Sequence, residues 1–388
     1  MQYRSFGKLD WKTSALGFGC MRFPSADGQP GSSNVDEAEA IRMLRYAIDH
    51  GVNYIDTAYP YHDGKSELIV GRALKDGYRD KVKLATKLPT WLVQAPSDFD
   101  RFLNEQLVKL QTDHIDFYLL HSLNGSSWTN IVLKHNLLDH AARALADGRI
   151  GHLGFSFHDN YEAFEEIVNG SDLWSFCQIQ YNYMDIDSQA GARGLKLAAS
   201  KGLGVVVMEP LMGGRLVDPP QDIRETIATD PAHRSPVQLA FDWVWDHPEV
   251  SVVLSGMSTM SQLVENLQIV ESSHPGKLGP ADQALFARIR EQYNARTIIP
   301  CTQCAYCMPC PNDVNIPVNF HLFNYAHTYD DLGAARFRYK FVLKENQRAG
   351  ACIDCDTCEG LCPQHIPISD WMPKVAALLE GLEGRGDE

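Results

Sequence analysis

The sequence predicts an α/β chain, a (β/α)8 TIM barrel followed by a small α-rich domain built around iron–sulfur clusters. Three observations carry that expectation. Short apolar runs alternate with amphipathic stretches across residues 12–270. An acid, a phenol, an ammonium and an imidazole follow successive runs. Eight cysteines then crowd into two short segments near the C-terminus.

The apolar runs are Ala15–Phe18, Asn53–Ile55, Val82–Thr86, Ile115–Leu120, Ile150–Phe155, Phe176–Ile179, Gly204–Met208 and Val250–Leu254. Helical patterns lie between them, among them Val35–His50, Glu67–Leu74, Phe99–Leu110, Leu137–Asp147, Ala190–Ser200, Val237–Trp245 and Ser261–Val270. Apolar residues recur there at three- and four-residue spacing, which marks a helix with one buried face. Gly51, Gly148 and Gly202 stand where such helices should stop. Strands that alternate with helices pair in parallel through right-handed crossovers, and eight of them close a barrel. The competing arrangement is a doubly wound open sheet. It needs a Gly-rich phosphate turn after the first strand, and Gly17-Phe18-Gly19-Cys20-Met21-Arg22 lacks the third glycine.

The predicted organisation is a barrel over 1–275, a linker over 276–299 with a helix at Ala281–Tyr293, and a cysteine-rich domain over 300–388. Within that last domain, Asn312–Pro317 reads as a turn with an Ile-Pro end. Asn319–Asn346 is aromatic-rich and partly helical. Asp370–Leu382 has the pattern of a closing amphipathic helix, and Glu383–Glu388 that of a fraying polar tail.

With 388 residues, 44% of them hydrophobic, the chain can bury a large core. Its net charge of −14 disfavours nucleic acid and anionic membranes as partners. No apolar run reaches transmembrane length, and Met1–Asp10 lacks the features of a secretory signal, so the expected location is the cytoplasm. In that reducing compartment, ten cysteines point to metal rather than to disulfides.

Cys352, Cys355, Cys358 and Cys362 form C-x2-C-x2-C-x3-C, closed by Pro363. Cys301, Cys304, Cys307 and Cys310 form a run one residue shorter, with Met308-Pro309 before its last cysteine and Pro311 after it. Thiolates at these gaps reach three corners of one cubane cluster. In the ferredoxin-like two-cluster pattern, the fourth cysteine of each run ligates the other cluster. The expected sets are therefore Cys301, Cys304, Cys307 and Cys362 for one [4Fe–4S] cluster, and Cys352, Cys355, Cys358 and Cys310 for the second. Zinc is the alternative, but four-cysteine zinc sites usually use two separated C-x2-C pairs.

Barrel active sites sit at the C-terminal ends of strands. Asp56-Thr57-Ala58-Tyr59-Pro60-Tyr61 follows the second run, Lys87 ends the third, and His121 ends the fourth. This set suits hydride transfer between a carbonyl and an alcohol. As hydride reaches the carbonyl carbon, negative charge grows on the oxygen, and a phenol can protonate it. The ordinary phenol pKa is about 10, and a neighbouring ammonium is expected to lower it. An aspartate can hold the lysine, and a histidine can orient the substrate oxygen. Phe23, Trp91 and Trp128 follow the first, third and fourth strands and are expected as apolar pocket walls. Cys20 and Cys177 stand alone and are expected as buried, inert thiols.

The stretch Asn53–Leu74 (NYIDTAYPYHDGKSELIVGRAL) resembles the second-strand signature of the aldo-keto reductases, and the resemblance covers about Met1–Val270. The cysteine-rich tail resembles that of a branch of this family with a ferredoxin-like domain. The resemblance implies a catalytic tetrad of Asp56, Tyr61, Lys87 and His121, with Tyr59 the less suited phenol. It implies a nicotinamide nucleotide, its carboxamide held by Ser156 and Gln180, although the family's usual Ser-Asn pair is here Ser156-Phe157. Glu209, Leu211 and Gly213 match the loop that crosses the pyrophosphate. Gly256, Ser258, Gln262, Glu265 and Asn266 match the adenosine end. The segment Ser255–Asn266 contains no Lys or Arg, which favours NAD(H) over NADP(H) unless Arg215 or Arg193 reaches in.

The implied function is NAD(P)H-linked oxidoreduction of a small-molecule carbonyl or alcohol. One mismatch supports an alternative. Nicotinamide moves electrons in pairs and each cluster moves one, a split normally made by a flavin. The chain can therefore also be read as an iron–sulfur electron-transfer protein whose barrel binds a flavin or serves as scaffold, with an electron-transfer protein as partner.

Overall fold

An antiparallel hairpin, β1 (Tyr3–Phe6) and β2 (Leu9–Ser14), begins the chain in a computed structural model that describes residues 1–28 and 31–381. Eight parallel strands follow: β3 (Leu16–Gly19), β4 (Tyr54–Asp56), β5 (Lys83–Leu88), β6 (Ile115–Leu123), β7 (Ile150–Phe157), β8 (Trp174–Gln180), β9 (Gly204–Met208) and β10 (Val252–Ser255). Each pairs with the next, and β10 pairs back onto β3, which closes the barrel. A helix follows every barrel strand: Glu37–Asp49, Ser66–Ala73, Asp98–Leu110, Leu137–Ala146, Tyr161–Asn169, Gly191–Ser200, Pro236–Trp245 and Met260–Val270. The strands read as near-continuous apolar runs because helices cover one face and packed side chains the other. Gly51, Gly148 and Gly202 all lie at positive φ just beyond helices, as their positions predicted.

The hairpin plugs the bottom of the barrel. Phe6 is fully buried and packs with Tyr54, Phe117, Phe176, Val206 and Val252. Two glycines permit this. Gly7 sits at φ +54, and a Cβ there would fall 2.4 Å from the Gly204 backbone nitrogen. A Cβ on Gly204 would fall 2.3 Å from the Phe6 ring.

Contacts divide the chain into two compact units, Met1–Leu216 with Val237–Pro280, and Val217–Pro236 with Ala281–Glu388. The second unit contains the helices Gln221–Ile227, Ile316–Thr328, Leu332–Val342 and Ile368–Glu380, and most of Pro280–Ala295. Arg234 ties its first segment to the rest by bonding Asp230 at 2.8 Å and also Asp282. Its core includes Phe320, Phe323, Tyr339, Met372, Val375 and Leu379. One local expectation is corrected. Ile316-Pro317 does not end a turn but opens a helix, capped by the Asn315 side chain on the Val318 N–H. Proline is tolerated there because the first helical N–H groups have no intrahelical acceptor. The closing helix stops at Gly381, at φ +73. Leu382 and the predicted tail Glu383–Glu388 lie outside the described residues. Among the described residues, no helix is long and apolar enough to cross a membrane.

Replacing Phe6 with Ala should cost the barrel about 3–5 kcal/mol, since the plug has no neighbour free to refill its space. Chemical unfolding of parent and variant, followed by tryptophan fluorescence, measures the difference. A loss under about 1 kcal/mol would show that the hairpin does not close the core.

Candidate active site and cluster pockets

Lys87 is the centre of the barrel site. Its side chain is fully buried, and its ammonium donates to Asp56 Oδ1 at 2.7 Å, to the Thr57 carbonyl at 2.8 Å and to Tyr61 Oη at 3.2 Å. These groups meet because Lys87 lies near the end of β5 while Asp56 ends the adjacent β4, with Thr57 and Tyr61 in the loop beyond. That loop is pinned by a buried histidine. His62 Nδ1 lies 2.7 Å from the Ser32 carbonyl oxygen and Nε2 lies 3.1 Å from that of Cys20.

Burial pulls the Lys87 ammonium down, but Asp56 and Tyr61 outweigh it, and the net direction is up. Lys87 is therefore a cation at neutral pH. Burial pushes Asp56 up from the usual carboxylate range, and Lys87 pulls it back. Burial raises the Tyr61 phenol above its ordinary value; Lys87 pulls it down, as expected, but is outweighed. Tyr61 thus keeps its proton at neutral pH. His121, the fourth of the expected residues, lies beside this group, its ring centroid 6.1 Å from that of Tyr61. Burial holds its imidazole well below 6.5, helped by Lys87 and His158, and its Nδ1 is buried without a partner. Tyr59 turns away from this group to bond Glu105 at 2.9 Å.

Of the expected pocket walls, Trp91 alone is at the mouth. It is 49% exposed, with its ring centroid 5.0 Å from that of His121. Phe23 is buried against His62, and Trp128 is buried against Trp174. Cys20 and Cys177 are both fully buried, and burial pushes both thiols up.

The remaining sequence-predicted residues ring the same end of the barrel. Ser156 Oγ accepts the Ser122 N–H at 2.7 Å. Phe157 points away and packs on Phe164, so it cannot stand in for the missing Asn, and His158 follows it beside Glu209. Gln180 is occupied, donating to Asp185 at 2.6 Å and accepting from Gln189 at 3.0 Å. Gln178, which the sequence reasoning passed over, is the better placed amide. It is in register with Ser156, and its Oε1 is buried with no partner. The two-residue strand period, which puts Gln178 and Gln180 on one face, is the signal that could have found it.

The loop after β9 turns through Glu209, Met212, Gly213 and Gly214, all at positive φ, with Leu211 among them. Arg22, also unassigned from sequence, lies over the glycines. Its stem would touch a Cβ on Gly256 at 3.1 Å, and its Nη2 lies 3.4 Å from the corresponding point on Gly213, as does Nη1 of Arg215. Arg193 is elsewhere, over the Tyr161 ring. Ser258 donates to the Arg22 carbonyl at 2.9 Å, and Gln262 accepts the Ser258 N–H at 2.8 Å. Glu265 is exposed on the same helix, whereas Asn266 is buried and bonds Ser255 at 3.0 Å.

In the second unit the cysteines gather around two pockets. Cys301, Cys304, Cys307 and Cys362 line one, with Ile316, Phe320 and Ile366. Cys310, Cys352, Cys355 and Cys358 line the other, with Val314, Ile368 and Met372. Each run thus sends its last cysteine to the other pocket. Met308–Pro309 is a cis peptide, just before Cys310. Among the described residues, no three Cys, His, Asp or Glu side chains converge on a point the size of one metal ion. The thiols instead surround a wider space with apolar walls, a donor set that fits a cubane cluster.

The aldo/keto reductase family matches residues 15–275, and the 4Fe-4S dicluster domain matches residues 300–366. The chain is 25% identical over 316 residues to the uncharacterized oxidoreductase YrpG of Bacillus subtilis, a match covering 70% of this chain and 92% of that protein. It is 27% identical over 297 residues to L-galactose dehydrogenase of Arabidopsis thaliana, covering 70% and 88%. Among solved structures, aldo-keto reductase AKR11C1 from Bacillus halodurans superposes with a TM-score of 0.62 at 26% identity, covering 74% of this chain and 96% of that one. These matches span the whole closed barrel and the cysteine-rich segment after it, and the chain belongs to the aldo/keto reductase family of oxidoreductases and carries a C-terminal 4Fe–4S dicluster domain.

Proposed function

We propose that the barrel interconverts a small-molecule carbonyl and its alcohol with NAD(P)H, and that Tyr61 is its acid–base group. The observation that carries this reading is the buried Lys87 ammonium, which holds Asp56 and Tyr61 at once. A bound nicotinamide supplies or accepts the hydride. Gln178 Oε1 and Ser156 suit its carboxamide, and Gly213 lies against the guanidiniums of Arg22 and Arg215, which suit its phosphates.

In reduction, Tyr61 gives its proton to the substrate oxygen as charge builds there. Burial keeps that proton in place beforehand. The Lys87 ammonium, 3.2 Å away, then stabilises the phenolate that remains. Asp56 fixes the ammonium and balances its charge, both side chains being almost wholly out of water. His121 stays neutral, and a neutral imidazole still carries one N–H with which to hold the substrate oxygen. In oxidation the same phenolate takes the alcohol proton. Trp91 offers an apolar surface next to His121, which favours a substrate with an apolar portion.

Arg22 and Arg215 bring two guanidiniums to Gly213, which supports binding of the nucleotide phosphates by charge-assisted hydrogen bonds. Because Arg22 also covers Gly256, the lack of Lys and Arg in Ser255–Asn266 no longer argues for NAD(H), and the proposal takes either nucleotide. The cysteine pockets are read as holding two [4Fe–4S] clusters that carry single electrons. Passing them to or from the barrel site requires a group that splits an electron pair, a flavin being the usual one.

Tyr61→Phe removes the proton donor and keeps the ring. Carbonyl reduction should fall by about 10²–10⁴-fold, with nicotinamide nucleotide binding retained in a fluorescence titration. Turnover equal to the parent would remove Tyr61 from the mechanism.

The neutral state of His121 sets a pH dependence. Unfolded, its imidazole protonates near the ordinary value of about 6.5, whereas folded it does so only at lower pH. Between those values the unfolded chain takes up a proton that the folded chain refuses, so acid below about pH 6.5 weakens the fold. His121→Asn should therefore lose less stability than the parent between pH 7 and pH 5.5. Equal losses in parent and variant would mean that His121 titrates normally in the fold.

A further inference from the structure

The two cysteine runs share one backbone path and differ in charge. In each, the residue before the second cysteine and the residue after it lie at positive φ. These are Gln303 at 58° and Ala305 at 61° in the first run, and Asp354 at 56° and Asp356 at 55° in the second. Each run leaves one of its thiols exposed, Cys304 or Cys355. The spacing is the same through the third cysteine, so Gln303 corresponds to Asp354 and Ala305 to Asp356. At both positions a neutral residue in one loop stands as a carboxylate in the other. Positive φ does not ask for that charge, because asparagine adopts it as aspartate does.

The asymmetry extends to the rest of each pocket. Between Cys301 and Cys310 there is no Asp, Glu, Lys or Arg, whereas Asp354, Asp356 and Glu359 fall between Cys352 and Cys362 with no Lys or Arg. Asp356 lines the second pocket, and Glu359 accepts at 2.9 Å the N–H of Ser369, which lines it too. The Asp354 charge acts on Cys352 and the Asp356 charge on Cys355, while at Cys301 and Cys307 the neighbouring charges are those of other cysteines. Imidazoles flank the first pocket instead: His321 Nδ1 lies 3.4 Å from Gln303 Nε2, and the His365 N–H bonds the Cys362 carbonyl at 3.0 Å. One contact acts the other way. Thr357 Oγ1 lies 3.5 Å from Cys355 Sγ, but it is a single neutral dipole against two adjacent carboxylates.

The two pockets are neighbours. Ile316 and Ile368 line both, and each opens a helix, so the positive ends of those helices bear on the two sites together. Exposure, backbone and helix ends being matched, the acid pair is what sets the pockets apart.

We propose that Asp354 and Asp356 hold the second pocket at a lower reduction potential than the first, so that a single electron on the pair resides with Cys301, Cys304, Cys307 and Cys362. Reducing [4Fe–4S]2+ to [4Fe–4S]+ adds one negative charge, and two carboxylates beside it oppose that change. One electron passes from the [4Fe–4S]+ state in the second pocket to the [4Fe–4S]2+ state in the first, and the two exchange oxidation states. No bond forms and no proton moves. The inference rests on the reading of these pockets as cluster sites and is independent of the barrel's substrate.

The test uses full-length protein with both clusters reconstituted anaerobically, titrated with dithionite at controlled potential and followed by electron paramagnetic resonance. Iron and sulfide counts and the visible spectrum check that parent and variants carry both clusters. The parent should reduce in two separate one-electron steps. In Asp354→Asn/Asp356→Asn the lower step should rise more than the upper moves, and the gap should narrow by about 59 mV, a tenfold change in the equilibrium between the two singly reduced forms. In Gln303→Asp/Ala305→Asp the upper step should fall instead, narrowing the gap from the other side. If one pair of substitutions costs the protein a cluster, the other pair decides. A parent that reduces in one unresolved step overturns the proposal, as does an Asp354→Asn/Asp356→Asn variant whose gap is unchanged or wider. A parent that binds fewer than two clusters removes the reading of the pockets, and the inference with it.

Discussion

A single buried ammonium organises the barrel site. Lys87 is out of water, and a cation in that position is tolerated only when its three protons find acceptors. Asp56 Oδ1, the Thr57 carbonyl and Tyr61 Oη supply them. Satisfying the lysine therefore fixes the end of β4, the start of its loop and the Tyr61 phenol. The same bonds make the phenol's environment a balance, with burial favouring its neutral form and the ammonium favouring the anion.

Beneath this group lies a second polar network that holds β5 itself. Glu67, fully buried, accepts from Thr86 Oγ1 at 2.7 Å and from Gln106 Nε2 at 2.6 Å. Gln106 Nε2 lies 3.0 Å from the Lys87 carbonyl, and its Oε1 accepts from Tyr118 at 2.7 Å. The helices Ser66–Ala73 and Asp98–Leu110 thus reach through their apolar contacts to grip the strand that bears Lys87. Buried networks of this kind are costly unless complete, and their completeness gives a site its fixed geometry.

Much of this was legible in sequence, for identifiable reasons. Strands buried on both faces read as apolar runs, so β3 to β10 could be found. The tetrad could be found because Asp56, Lys87 and His121 fall at strand ends. The hairpin could not, since in β1 only Phe6 is buried, Tyr3 and Ser5 face out, and the half-buried Arg4 is polar. Phe23 and Trp128 follow strands yet turn into the core, where Phe23 stacks on His62 and Trp128 packs at a tilt against Trp174. Gln178 and Gln180 share a strand face, and loop residues Asp185 and Gln189 decide which of them is occupied. Arg22 meets Gly213 and Gly256 only when the barrel closes, at separations no local pattern reveals. The shared cysteine pockets were legible because the runs match the two-cluster ferredoxin pattern, in which each fourth cysteine crosses to the other cluster.

The central claim is that the Lys87 ammonium tunes the Tyr61 phenol. Nuclear magnetic resonance of 13Cζ-tyrosine, titrated with pH in the parent and in Lys87→Met, reads that phenol directly, with nicotinamide nucleotide binding as the check that the barrel stays folded. Loss of the cation should move Tyr61 to a still higher pKa than in the parent. A Tyr61 titration that is unchanged or lowered in Lys87→Met would contradict the account.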